Sequence, residues 1–155
     1  ALDHRPVQAI AQLEPLVRQQ PPERTVLVGS SLGGFYATWL AERHGCRAVL
    51  VNPAITPDEG LEAWLGPQKN LYTGEPYELT RDHLAQMAAL RVDRITRPDR
   101  YFLMHTTGDE LLDWRIAVAK FEGARQRIVE GSDHGFAEFE HYLDEVLAFG
   151  DGAPD

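Results

Sequence analysis

Residues 29–33 read Gly-Ser-Ser-Leu-Gly and match the pattern G-x-S-x-G, in which the central serine is a nucleophile. A buried strand is predicted before this segment and a helix after it, which puts Ser31 on a tight turn. Gly29 and Gly33 are expected to let the strand and the helix approach closely. The first turn of a helix has free backbone N–H groups, so we predict Ser31 as nucleophile and the Leu32 N–H as an oxyanion donor. The alternative is a glycine-rich turn that only serves packing.

Two later loops hold the residue types that a serine nucleophile needs. A serine hydroxyl is a weak nucleophile, so a base must accept its proton and a third group must orient that base. Thr-Thr-Gly-Asp-Glu at 106–110 and Glu-Gly-Ser-Asp-His-Gly at 130–135 each follow a predicted strand. Because the carboxyl ends of parallel strands meet at one edge of a sheet, residues there can reach the serine. We predict Asp109 as the orienting acid and His134 as the base, in the chain order Ser…Asp…His.

Other ionisable residues compete for these roles. Asp113 is an alternative acid, although its position predicts the N-cap of a helix. Glu110 is expected to face solvent, and Asp133 is expected to tie its own loop together. His105 is expected to be a hydrogen-bonded core or rim residue. The remaining histidines are expected to be solvated and to take no part in chemistry: His4, His44, His83 and His141.

The apolar pattern alternates between helical and strand-like stretches, which is typical of an α/β domain with a mostly parallel sheet. Residue Pro15 is expected to kink or shorten the first helix. A single domain is predicted over 1–150, followed by a frayed tail at 151–155. Strands are predicted at 25–29, 48–52, 101–105 and 127–129. Helices are predicted at 6–20, 33–44, 81–92 and 113–121, with an amphipathic closing helix at 136–149.

Residues 54–80 have a different composition, rich in proline, glycine and aromatic residues and without a clear period. We interpret them as a cap-like excursion over the rim of the sheet. Trp64, Leu65, Tyr72 and Tyr77 either line an acyl pocket or only cover that rim, and the sequence leaves both alternatives open.

Composition limits the classes of partner. The sequence has 155 residues and a net charge of -9, which disfavours nucleic acid and anionic membrane surfaces. Its single cysteine, Cys46, allows no intrachain disulfide. No apolar run could cross a bilayer and the N-terminus has no signal-peptide core, so we expect a cytoplasmic protein. No metal and no cofactor are expected, because histidine spacings do not suit a metal and the glycine-rich turn fits no nucleotide-binding pattern.

The stretch Gly-Ser-Ser-Leu-Gly-Gly-Phe-Tyr-Ala-Thr-Trp-Leu at 29–40 closely resembles the nucleophile region of the YqiA-like bacterial esterases, which are small α/β-hydrolases. Four further segments resemble the same family in the same order: Val-Asn-Pro-Ala at 51–54, Tyr-Thr-Gly at 72–74, Thr-Gly-Asp-Glu-Leu-Leu-Asp at 107–113 and Gly-Ser-Asp-His-Gly-Phe at 131–136. The resemblance implies an α/β-hydrolase fold with helices on both faces of the sheet. It also implies hydrolysis of carboxylic esters, or of acyl thioesters such as acyl-CoA, by Ser31, His134 and Asp109.

The family begins with a strand that ends in a His-Gly-Phe motif, and this N-terminal section has no counterpart in the sequence. The resemblance implies that the second oxyanion donor belongs to that section, which leaves the Leu32 N–H alone. It also leaves the strand before Ser31 as an exposed edge, so we predict a homodimer that covers it. The leading hypothesis is a cofactor-free serine esterase with a small-molecule substrate. The alternative is a catalytically impaired remnant that acts as a binding or scaffold protein.

Overall fold

The computed structural model describes residues 2–70 and 73–152. The strands within these residues are β1 (Val26–Ser31), β2 (Arg47–Pro53), β3 (Gly66–Lys69), β4 (Pro76–Leu79), β5 (Tyr101–Thr106) and β6 (Arg125–Val129). The α-helices are α1 (Pro6–Val17), α2 (Leu32–His44), α3 (Pro57–Gly60), α4 (Arg81–Ala89), α5 (Trp114–Lys120) and α6 (Leu143–Gly150).

The main sheet has four parallel strands in the order β1-β2-β5-β6. Side chains of β2 and β5 alternate between two apolar clusters, because successive residues of a strand point to opposite faces. One cluster contains buried residues of α1, α2, α4 and α5, and the other contains residues of α6. The prediction of a mostly parallel sheet with helices on both faces is confirmed.

Several predicted boundaries need correction. Helix α4 ends at Ala89 rather than at residue 92, β1 continues to Ser31 rather than ending at residue 29, and β6 begins at Arg125 rather than at residue 127. The first helix ends at Val17 rather than at residue 20, and Pro15 lies in its last turn, where it removes one helical hydrogen bond. The closing helix begins at Leu143, after a 3₁₀ turn at Phe139–Tyr142. Its apolar stripe is narrower than predicted, because Leu143 is 46% and Leu147 64% exposed.

Residues 54–80 contain more regular structure than their composition indicates. After α3 and a 3₁₀ turn at Glu62–Trp64, β3 and β4 pair as an antiparallel hairpin, with Gly66 opposite Leu79. No strand was predicted here, since Gly-Pro-Gln-Lys and Pro-Tyr-Glu-Leu lack an alternating run of β-branched residues.

Strand β1 lies at one edge of the main sheet, and its Val28 is 57% exposed. No strand within 2–70 or 73–152 pairs with its outer side, so the homodimer stays a prediction. In those same ranges no helix has the length and the apolar character needed to cross a membrane. Residues 151–152 form a turn after α6, and the rest of the predicted tail lies outside the described residues.

Candidate active site

The turn between β1 and α2 places Ser31 in a strained conformation. Its φ of 53° lies in the left-handed region that favours glycine, and its ψ is -122°. A Cβ on Gly29 would lie 2.3 Å from the carbonyl oxygen of Gly33, so only glycine fits at position 29. Gly33 was also expected to be needed for the close approach of strand and helix. That expectation is wrong, because a Cβ at position 33 would meet nothing within 4 Å. The second tight position is Gly34, whose Cβ would lie 2.7 Å from Pro53 Cβ.

The side chains of Ser31, His134 and Asp109 form a continuous hydrogen-bond chain. His134 Nε2 lies 3.0 Å from Ser31 Oγ, and His134 Nδ1 lies 2.9 Å from Asp109 Oδ2. The carboxylate of Asp109 only accepts, so Nδ1 carries the ring proton and Nε2 is left to accept from the serine hydroxyl. The structure thus brings together all three residues that the sequence predicts for this chemistry.

The carboxylate of Asp109 is held by its own loop. Its Oδ1 accepts hydrogen bonds from the backbone N–H groups of Leu111 and Leu112, each at 2.9 Å. Its side chain is fully shielded from solvent, whereas that of His134 is 19% exposed. The carboxylate is therefore fixed in orientation, and the imidazole keeps access to the outside.

Hydrogen bonds between the two loops continue the pairing of β5 and β6 beyond the strand ends. The Gly108 N–H donates to the carbonyl of Gly131 at 2.8 Å, and the Gly131 N–H donates to Thr107 Oγ1 at 2.9 Å. A Cβ on Gly108 would lie 2.2 Å from the carbonyl oxygen of Ser132. This close approach carries Asp109 and His134 to the same place.

The competing acidic residues have other roles. Asp113 caps α5 by accepting from the Arg115 N–H at 3.0 Å, and that hydrogen bond lowers the pKa of its carboxyl. Glu110 is exposed as expected, yet its Oε2 accepts from the His134 N–H at 3.0 Å, a role that the sequence did not indicate. Asp133 ties its loop through its backbone carbonyl, which accepts from Asn52 Nδ2 at 3.1 Å.

The histidines other than His134 differ in how far they are buried. His105 is fully buried, with Nδ1 3.1 Å from the carbonyl oxygen of Thr106, and burial lowers its pKa. His83 is also buried, and its Nδ1 accepts from the Thr80 N–H at the start of α4. The expectation of a solvated side chain is therefore wrong for His83. It is also wrong for His44, which is 15% exposed and contacts Glu14 at 3.0 Å.

The residues predicted to bind substrate occupy different surroundings. Leu32 is the first residue of α2, so its N–H has no partner within the helix, as an oxyanion donor requires. Trp64 is 58% exposed, Leu65 packs against the larger apolar cluster, and Tyr77 stacks on His4 with ring centroids 4.8 Å apart. No hydrogen bond or ring contact among the described residues links these three to Ser31, and the acyl pocket stays a prediction. The fourth, Tyr72, lies outside the described residues.

Sequence comparisons identify a family and more distant relatives. The profile of a family described as Uncharacterised protein family (UPF0227) matches residues 1–151. The Alpha/beta hydrolase domain-containing protein 17C of Xenopus tropicalis is 24% identical over 133 residues, which are 83% of this chain and 39% of that protein. The chain thus spans well under half the length of this relative.

Solved structures share the fold. A protein from Agrobacterium vitis S4, described as a hydrolase, matches with a TM-score of 0.71 and 20% identity, over 93% of this chain and 68% of its own. The carboxylesterase CesB from Bacillus subtilis matches with a TM-score of 0.56 and 17% identity, over 99% of this chain and 69% of its own. At such identities the likeness shows the fold alone, which is that of the α/β-hydrolases.

Proposed function

The chain belongs to the UPF0227 family, the YqiA-like family that its motifs resemble, and from this premise we propose that it is a serine esterase. The proposed reaction is hydrolysis of carboxylic esters or acyl thioesters of small molecules through an acyl-enzyme intermediate. The observation that carries the proposal is the hydrogen-bond chain from Ser31 Oγ through His134 to Asp109, with distances of 3.0 and 2.9 Å. A scaffold that needed only the fold would not require this alignment of three side chains.

The proposed mechanism assigns one role to each residue. Ser31 Oγ attacks the substrate carbonyl while His134 Nε2 takes its proton, and Asp109 stabilises the imidazolium that forms. The Leu32 N–H donates to the developing oxyanion. The protonated His134 then gives its proton to the leaving alcohol or thiol, and water activated by the same histidine releases the acyl group from Ser31.

Electrostatics favour a neutral leaving group over a polyanionic one. The chain carries a net charge of -9. The electrostatic field of this charge slows the approach of anions, and the coenzyme A part of an acyl-CoA is a polyanion. We therefore place uncharged carboxylic esters before acyl-CoA thioesters among the proposed substrates. The ratio of kcat/KM for a neutral ester and for acetyl-CoA tests this order, and it should shrink as salt is added.

The experiment that tests the proposal is intact-mass labelling with a fluorophosphonate. We expect the wild type to gain one adduct per chain and Ser31→Ala to gain none, because the probe reacts only with an activated serine. A folded wild type that remains unlabelled would contradict the esterase and support the alternative, an impaired hydrolase scaffold with a binding role.

A further inference from the structure

Asn52 lies in a bulge directly beside the Ser31 turn. Ser30 pairs with Val51 and Ser31 pairs with Pro53, so Asn52 has no partner across the strand pair. Its φ is 41°, in the left-handed region that asparagine tolerates better than most residues, and its exposed fraction is 0%. The bulge turns the side chain away from the β1–β2 ladder and toward the end of β5.

The buried carboxamide of Asn52 bonds at both ends. Its Nδ2 donates to the carbonyls of Asp133 at 3.1 Å and His134 at 2.9 Å, and its Oδ1 accepts from the Thr106 N–H at 2.9 Å. These partners fix the orientation of the amide, because carbonyls only accept and an N–H only donates. Thr106 Oγ1 adds a second hydrogen bond, at 2.9 Å, to the Asp133 carbonyl.

The backbone of His134 is therefore held on both sides, independently of its ring. Glu110 accepts from the His134 N–H, and Asn52 donates to the His134 carbonyl. Neither contact involves the imidazole, whose hydrogen-bond partners within residues 2–70 and 73–152 are Ser31 and Asp109. Reacting groups must keep their geometry within fractions of an ångström, so a backbone anchor at this residue controls how well Nε2 reaches Ser31 Oγ.

We propose that Asn52 is a positioning residue, whose carboxamide holds the His134 loop so that the imidazole meets the Ser31 hydroxyl. The proposal rests on the proposed function for its effect on rate. The predicted effect of Asn52 on the position of the His134 imidazole does not depend on the proposed function, because that position is a property of the resting protein.

Two variants separate the parts of the network. Asn52→Gly removes the carboxamide and suits the positive φ, so it adds no backbone strain. Asn52→Asp keeps an acceptor for the Thr106 N–H and replaces the two N–H donors with a buried carboxylate oxygen that faces two carbonyls. The matched control is Thr38→Val, because Thr38 is buried and its Oγ1 donates to the Gly34 carbonyl at 2.8 Å within α2. That variant loses a buried hydrogen bond and leaves the His134 loop alone.

The first measurement is the rate of fluorophosphonate labelling at saturating probe, well below the unfolding temperature of every variant. We expect Asn52→Gly to react about 10- to 100-fold more slowly than the wild type, with the probe concentration for half-maximal rate unchanged. Asn52→Asp should react more slowly still. Thr38→Val should lower the Tm and keep the wild-type rate. An Asn52→Gly variant that loses Tm and labels at the wild-type rate would overturn the proposal.

The second measurement is the proton NMR signal of the His134 Nδ1–H, which requires no reaction. We expect the signal in the wild type, in Ser31→Ala and in Thr38→Val, and we expect it to broaden or vanish in Asn52→Gly. An unreactive wild type whose ring signal is lost in Asn52→Gly would support positioning while it rejects the esterase. A signal that is unchanged in Asn52→Gly would overturn positioning whatever the wild type does to esters. Should Asn52→Asp fail to fold, the measurements on Asn52→Gly are sufficient to test the proposal.

Discussion

The carboxyl edge of the main sheet and the 54–80 segment differ in how their side chains are held. At the sheet edge, Ser31, His134 and Asp109 are joined by side-chain hydrogen bonds. The Leu112 N–H also donates to Asp109 Oδ1, and Glu110 Oε2 accepts from the His134 N–H. In the 54–80 segment, Trp64 is 58% exposed, and Glu62 forms an ion pair in solvent with Arg81 of α4, where such pairs contribute little to stability.

This difference separates two parts of the proposed function. The reactive groups lie at a strand end and on two loops that hydrogen bonds hold together, so their geometry is a property of the fold. Among the described residues for which an acyl pocket stays a prediction, Trp64 lies exposed on a 3₁₀ turn, where a change costs little stability, whereas Leu65 and Tyr77 pack against the larger apolar cluster. We therefore expect substitutions at the sheet edge to affect rate or stability strongly, and substitutions of exposed residues in the 54–80 segment, such as Trp64, to affect both weakly.

The largest expected effect is that of Asp109→Asn. The amide would hold the wrong tautomer of His134, and we expect kcat for an ester to fall about 10⁴-fold while the protein remains folded. The matched control is Asp113→Asn, which keeps a good N-cap for α5 and should leave kcat unchanged. A large loss in the control, or none in Asp109→Asn, would mean that the structure assigns the wrong carboxylate.

Two glycines of the same motif should behave oppositely. Gly29→Ala places a Cβ 2.3 Å from the Gly33 carbonyl oxygen, and we expect overpacking to lower the free energy of unfolding by about 1–3 kcal/mol. Gly33→Ala meets no atom within 4 Å and should leave that free energy equal or slightly higher, because alanine suits a helix better. Urea unfolding of both variants measures the difference, and equal effects would contradict the geometry of the turn.

The buried ring of His105 should make stability depend on pH. Burial lowers its pKa in the folded state; Asp109 and Asp113 oppose this, and His134 adds to it. The unfolded chain, with an ordinary pKa of about 6.5, then binds more protons than the folded protein below that pH. Stability is therefore full above about pH 6.5 and falls as the pH is lowered.

The comparison of wild type with His105→Phe measures this contribution by urea unfolding at about pH 7.5 and about pH 5.5. We expect the free energy of unfolding of the wild type to fall more steeply between the two values. Parallel changes in the two proteins would show that His105 does not titrate on unfolding.

The smallest expected effect is that of Trp64→Ala. An exposed side chain contributes little to stability, so the free energy of unfolding should change by less than about 0.5 kcal/mol. We also expect KM for short and long esters to stay the same, since Trp64 has no described contact with the three reactive residues. A raised KM for long esters would mean that Trp64 contacts the substrate, and it would contradict the expectation that exposed residues of the 54–80 segment have little effect on the reaction.

The sequence predicts those parts of the molecule that carry a strong local pattern. Apolar runs indicate all four parallel strands, and the ends of these strands predict that Asp109 and His134 lie near Ser31. The β3–β4 hairpin was missed, since its residues do not alternate between apolar and polar.

The residues that hold the His134 loop were missed for another reason. Asn52 and Glu110 act through backbone groups of His134, and such long-range hydrogen bonds leave no periodic signal in the sequence. The only hint at position 52 is an asparagine at a strand end, a residue type that tolerates a positive φ.

The central claim is that Ser31 forms an acyl-enzyme through His134, and pre-steady-state hydrolysis of p-nitrophenyl acetate tests it most directly. We expect a burst of about one equivalent of nitrophenol per chain and, in quenched samples, one acetyl group on Ser31. We expect neither the burst nor the acetyl group in Ser31→Ala. A steady release without a burst that is equal in wild type and Ser31→Ala would contradict the claim, because the hydrolysis would then not pass through this serine.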